Sequence, residues 1–175
     1  AITRGQFAAL AIRYYETLMG DITGEDYTIP VNSGDDVFAD STGDENMAKA
    51  FSPGIPGGYN SAPNRSGVYV GPNDLITREQ AATMLARLME RLDEDLDRSM
   101  LDRMTGVTLP FVDTISDWAL DSVETVYEAG VMYGTSGTTF SGTDHYPVEQ
   151  IIVTIISLSQ WSSMGTNFEY YPRPL

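Results

Sequence analysis

Three stretches of the chain carry apolar residues three and four positions apart. Across 3–19 the stripe is Phe7, Leu10, Ala11, Tyr14, Tyr15 and Leu18, the spacing of a helix with one buried face. Thr3 is an N-cap residue with Gln6 as its capping-box partner, and Gly20 is a natural C-terminal stop. Across 77–92 the same design returns: Thr77 caps, Gln80 answers, and Ala81, Met84, Leu85, Leu88 and Leu92 form the stripe. The third stretch, 147–160, opens on Pro147, which suits a first helical turn. Its run of Ile151, Ile152, Val153, Ile155 and Ile156 is apolar on most sides, so this helix is expected to be deeply buried.

The three helices begin in related phrases. Ile2-Thr3-Arg4-Gly5-Gln6 is matched by Ile76-Thr77-Arg78-Glu79-Gln80 and echoed by Tyr146-Pro147-Val148-Glu149-Gln150. Recurrence at spacings of 74 (76 − 2) and 70 (146 − 76) residues marks an internal repeat. A second block precedes the later two phrases. It runs Phe111-Val112-Asp113, Trp118-Ala119, Val123, Val126, Tyr127, Ala129-Gly130-Val131, Gly134 and Phe140 in one copy. In the other it runs Phe38-Ala39-Asp40, Met47-Ala48, Ala50-Phe51, Gly54, Gly58 and Val70. Each unit therefore reads as Phe-x-Asp, a short helix, a Gly-x-x-x-Gly turn, a loop with an apolar anchor, and a capped second helix. Extra residues around Asn60 to Gly67 are expected to form a surface loop. The first phrase lacks a front block, which points to a processed protein or a piece of a longer one.

Composition narrows the function. The chain has 175 residues, 42% of them hydrophobic, enough to bury a core. Its net charge of −15, from 25 acidic and 10 basic residues, argues against nucleic acid and anionic membrane as partners. It contains no Cys, so neither disulfides nor thiolate chemistry contribute. No apolar run is long enough for a membrane span, and no signal-peptide pattern is read.

The two Thr-Arg phrases together with the third-repeat block resemble the S-layer homology family, and the resemblance covers nearly the whole chain. It implies a mainly α fold of tandem helix-loop-helix repeats packed with pseudo-threefold symmetry. The corresponding organisation is the second half of a module at 1–19, a linker at 20–36, a module at 37–92, an acidic linker at 93–109, a module at 110–161 and an extended tail at 162–175. The resemblance also implies a non-catalytic part of an extracellular bacterial surface protein. It would bind anionic, often pyruvylated, cell-wall polysaccharide in grooves between modules, without a cofactor or metal. Position by position, the polysaccharide-binding candidates are Arg4 and Arg78, Asp40 and Asp113, Trp118, and the turn glycines Gly54, Gly58, Gly130 and Gly134. The pattern is broken where Pro147-Val148 replaces Thr-Arg, and the second module has no Trp at the Trp118 position.

Each candidate has a plainer role beside the functional one. Arg pairs bidentately with a carboxylate, and at a helix start it brings an anion near free backbone N–H groups. Alternatively Arg4 and Arg78 bridge to the Phe-x-Asp acids. Trp118 either stacks on a sugar face or fills the core. Asp40 and Asp113 either meet sugar hydroxyls or cap nearby helix starts. The acidic runs Asp35 to Glu45 and Asp93 to Asp97 lack the ligand spacing of an EF-hand loop and read as a solvated face. His145, the single histidine, reads as a surface loop residue. No nucleophile elbow, phosphate loop or His-rich motif suggests an enzyme. The rival reading is a subunit of a surface lattice or filament that self-associates through its modules as a homo-oligomer.

Overall fold

The computed structural model describes residues 1–31, 40, 45–51, 69–104 and 106–164. Among the described residues five α-helices form: α1 (Arg4–Thr23), α2 (Glu45–Phe51), α3 (Arg78–Asp95), α4 (Leu120–Glu128) and α5 (Val148–Ser163), with one 3-10 turn at Leu101–Arg103. Among the described residues no strand forms; two isolated antiparallel bridges join Thr3 to Leu75 and Thr77 to His145. The fold is mainly α.

The capping boxes form as their sequences require. Thr3 accepts from the Gln6 N–H while the Gln6 side chain accepts from the Thr3 N–H, and Thr77 and Gln80 do the same. α1 does not stop at Gly20. It runs on to Gly24, whose φ of 73° ends the helix and whose N–H donates to the Gly20 carbonyl. Gly20 is needed for another reason: a Cβ there would lie 3.1 Å from the Glu25 carbonyl oxygen, where the chain folds back.

α1 packs on α2 and on α3, and α3 packs on α4. The core is continuous through these layers, with Phe7, Ile12, Tyr15, Leu85, Leu88, Met89, Leu92, Phe140, Tyr146 and Leu158 buried. Burying a large apolar side chain contributes about 1.5–3 kcal/mol, so this cluster is the main source of stability. Tyr14 of α1 and Arg98, just past α3, both reach the end of α5. The Tyr14 hydroxyl is 2.5 Å from that of Ser162, and Arg98 donates to the Ser162 carbonyl. The Arg98 guanidinium sits 4.9 Å from the centre of the Trp161 ring, and burial holds its pKa below the ordinary Arg value.

α5 departs from expectation. Ile151, Thr154, Leu158 and Trp161 are buried, but Ile152, Val153 and Ile156 are exposed. The apolar run is wider than the surface available to cover it, because no described helix packs on its second face.

Candidate functional site

The start of α1 is held by the loop before α3. The Arg4 N–H donates to the Asp74 carbonyl at 2.8 Å, and the Gly5 N–H to Pro72 at 2.9 Å. The Arg4 Nε donates to the Val70 carbonyl at 2.6 Å, and Ile76 returns a bond to the Ile2 carbonyl at 3.0 Å. Asp40 fixes that loop by accepting from the N–H groups of Val70 and Gly71, both at 2.9 Å.

The start of α3 is held by the loop before α5 through the same set. Arg78 N–H donates to Asp144 at 3.0 Å and Glu79 N–H to Gly142 at 2.9 Å. Arg78 Nε donates to the Phe140 carbonyl at 2.7 Å, and Tyr146 returns a bond to Ile76 at 2.9 Å. Asp113 accepts from the N–H groups of Phe140 and Ser141 at 2.8 and 2.7 Å. The junction is thus made twice, bond for bond, by residues in matching places of the repeated phrases.

This geometry revises three sequence expectations. Arg4 and Arg78 reach backbone carbonyls, where bridges to the Phe-x-Asp acids were the plainer expectation. Asp40 and Asp113 hold N–H groups of the loops that receive the Arg side chains, not helix starts; α4 begins after Ala119 with no side-chain cap. At the starts of α1 and α3 the N–H groups of Arg4, Gly5, Arg78 and Glu79 are taken by loop carbonyls, so they are not free for an anion.

Arg78 is deeply buried, at 2% exposure. Besides Phe140, it donates to the Tyr133 carbonyl at 2.5 Å and to the Gln150 side chain. Its guanidinium lies 5.0 Å from the Phe140 ring centre and 5.2 Å from that of Tyr146, within the range of cation–π attraction. Burial holds its pKa below the ordinary Arg value. Burial pushes the Asp113 carboxyl up, but the backbone N–H groups of Phe140, Ser141 and Asp113 itself, with the nearby Arg78 charge, together hold the group below its usual range. Arg4 is buried too.

Trp118 is placed differently, 59% exposed just ahead of α4. It is not a core residue. Gly130 has φ 71° in the turn after α4. At Gly134 a Cβ would lie 2.4 Å from the Thr139 carbonyl oxygen and 2.6 Å from Phe111, so the loop closes only around a glycine. Gly54 and Gly58 lie outside the described residues, as do Phe38, Asn60 to Gly67 and the chain from 165 onward. His145 is exposed.

Other residues of the junction were not read from the sequence. Gln150 occupies the place of Gln6 and Gln80 in the third phrase. Pro147 has neither an N–H nor a hydroxyl to complete a capping box, and Gln150 accepts from Arg78 instead. Buried Glu79 accepts from the Ser116 N–H at 3.0 Å. A Cβ on Gly142 would lie 2.2 Å from the Glu79 Oε1. At the matching place in the first junction, a Cβ on Gly5 would lie 2.9 Å from the Pro72 carbonyl oxygen. The signal available was the exchange of small and large partners between the two copies.

A separate cleft of about 530 Å³ lies between the end of α3 and α4, walled by Glu90, Asp93, Glu94, Asp121, Glu124 and Glu128 among others. Among the described residues, no group of three or more His, Cys, Asp or Glu is arranged to hold a metal ion.

Residues 110–145 match the family model of the S-layer homology domain. Over that span the chain is similar to the S-layer homology domain. The matched span holds Asp113, Trp118, Gly130, Gly134 and Phe140, the side of the second junction that receives Arg78. S-layer homology domains are binding domains, not catalytic ones, and anchor bacterial cell-surface proteins to cell-wall polysaccharide. No curated protein and no solved structure matches the chain. Among the described residues, no helix is long and apolar enough to cross a membrane.

Proposed function

We propose that the chain is a non-catalytic, extracellular anchor built from tandem S-layer homology modules in pseudo-threefold order. It binds an anionic secondary cell-wall polysaccharide, of the pyruvylated kind, in the grooves between modules. The observation that carries this reading is Trp118: within the matched span it presents its ring to solvent at 59% exposure. An indole held outward offers a flat apolar face to a sugar ring.

In this reading the remaining candidates serve the groove from within. Arg78 and Arg4 set the positive potential beneath it and hold its walls. Asp113 and Asp40 fix the loops that form its rim. Gly130 and Gly134, with Gly54 and Gly58 in the other copy, let the rim turn tightly. A buried guanidinium attracts an anion more strongly than a solvated one, because the surrounding dielectric is lower. The duplicated hydrogen bonds support two such grooves, and Val148 in place of a third Arg supports unequal ones.

The test is a pull-down and titration with purified, pyruvylated wall polysaccharide. Trp118→Ala leaves the fold intact and weakens binding by about tenfold, the scale of one lost aromatic contact. Arg78→Ala weakens it as well. Unchanged binding by both variants removes the groove assignment, and no binding by the parent chain removes the anchoring reading.

A further inference from the structure

The cleft between the end of α3 and α4 carries charge of one sign. From α3 come Glu90, Asp93 and Glu94, with Asp97 and Asp102 on the segment that follows. From α4 come Asp121, Glu124 and Glu128, three and four residues apart on one helical face. At 1.5 Å of rise per residue that row is about 10 Å long. Among the described residues no Lys or Arg lines the cleft, and Leu101 and Met104 make the apolar part of its wall.

Asp93 adds an independent observation. It is only 8% exposed and stands in this wall. Its Oδ2 accepts from the Leu101 N–H at 2.9 Å, but its buried Oδ1 has no hydrogen-bond partner. The Arg98 Nε stands 3.8 Å away, too far for a hydrogen bond. Arg98 is held where it is by its bond to the Ser162 carbonyl and its seat against the Trp161 ring. A buried carboxylate oxygen left without a donor is costly, and a cation in the cleft supplies one.

We infer that this cleft binds a flexible organic cation with several amino groups, a linear polyamine. The carboxylates are spread along two walls, and no three of them among the described residues are arranged to hold a metal ion, whereas a calcium-type site needs converging oxygens. Ammonium groups joined by methylenes match both parts of the wall. Their N–H donors meet the carboxylate rows in charge-assisted bonds, and the methylenes lie against Leu101 and Met104. The volume of about 530 Å³ is that of a small-molecule site. A bound polycation also relieves the repulsion among like charges that the empty cleft sustains. The inference goes beyond polysaccharide binding, uses none of the residues assigned to it, and survives if that reading fails.

The test is calorimetric titration of the full chain with spermidine at neutral pH and physiological salt, with butylamine and magnesium chloride run alongside. Saturable one-to-one binding of spermidine is expected, about tenfold or more tighter than butylamine and weakened about tenfold or more by Asp121→Asn combined with Glu124→Gln. Neither of these residues is buried, and circular dichroism checks the fold of the variant. Asp93→Asn, which keeps an acceptor for the Leu101 N–H, should weaken binding too. Glu25→Gln combined with Asp26→Asn removes the same charge from exposed positions outside the cleft and should leave the affinity within about twofold. Absence of saturable spermidine binding overturns the inference. Equal loss in the two double variants overturns it as well, since that marks diffuse attraction to an acidic surface. Magnesium bound more tightly than spermidine, with the same dependence on Asp121 and Glu124, overturns it in favour of a metal site.

Discussion

Replacing Arg78 by Ala tests whether the guanidinium holds the junction or merely waits for a ligand. The side chain is 2% exposed and supplies donors to the Phe140 and Tyr133 carbonyls and to Gln150. Truncation leaves two carbonyl oxygens without those donors, at a cost of about 1–3 kcal/mol each. Loss of the two ring contacts adds about 0.5–2 kcal/mol. These terms share one group and do not add fully, so the expected loss is about 4 kcal/mol. For a chain of this size that lowers the melting temperature by roughly 10 °C. The assay is urea unfolding followed by far-UV circular dichroism, with Arg78→Lys measured alongside. Lys restores the charge but not the planar fork, so it recovers only part of the loss. If Arg78→Ala unfolds within about 0.5 kcal/mol of the parent, the range of an ordinary surface change, the anchoring role is refuted.

Three further outcomes are expected. Because the Asp113 pKa is lowered in the folded state, its contribution is complete above the ordinary carboxyl pKa and is lost as pH falls through the folded value; Asp113→Asn should therefore flatten the acid limb of a stability–pH curve. Gly142→Ala drives a methyl to within 2.2 Å of the buried Glu79 Oε1 and should cost about 1–3 kcal/mol, much of it recovered when Glu79→Gly is added, as a double-mutant cycle by thermal melting will show. Gly134→Ala meets backbone oxygens of Thr139 and Ser136 at 2.4 and 2.6 Å, which cannot swing aside, and should lower expression of folded protein or its melting temperature more than Gly137→Ala, where a Cβ meets nothing within 4 Å.

The long helices were legible because their determinants are local. Thr3 with Gln6, Thr77 with Gln80 and the 3,4 spacing of apolar residues act within one or two turns. The partners of the charged residues were not legible for the opposite reason. Arg78 binds carbonyls of Tyr133 and Phe140, and a carbonyl has no side-chain signature to read. Asp113 sits near Thr114 and Ser116 in a context that favours capping, yet its acceptor capacity is used across the loop by Phe140 and Ser141. Trp118 illustrates the limit of residue-type reasoning: large aromatics are mostly buried, and this one faces outward. The α5 pattern was read as deep burial because apolar residues ring it, but burial depends on neighbours, and a sequence records the demand for a neighbour without recording its presence.

The pairing of Gly5 with Pro72 and of Glu79 with Gly142 gives the two junctions separate keys. Their backbone bonds are the same, so any second helix could in principle dock on any loop. The side chains forbid it. Glu79 brought against a loop carrying Pro72 would meet a ring in place of open space, while Gly5 against Gly142 would leave a gap that no side chain fills. Recombination between such similar repeats is an easy genetic event. A chain with the two loops exchanged would keep all its parts and close neither seam as well, so the side chains at these two positions encode the order of the units.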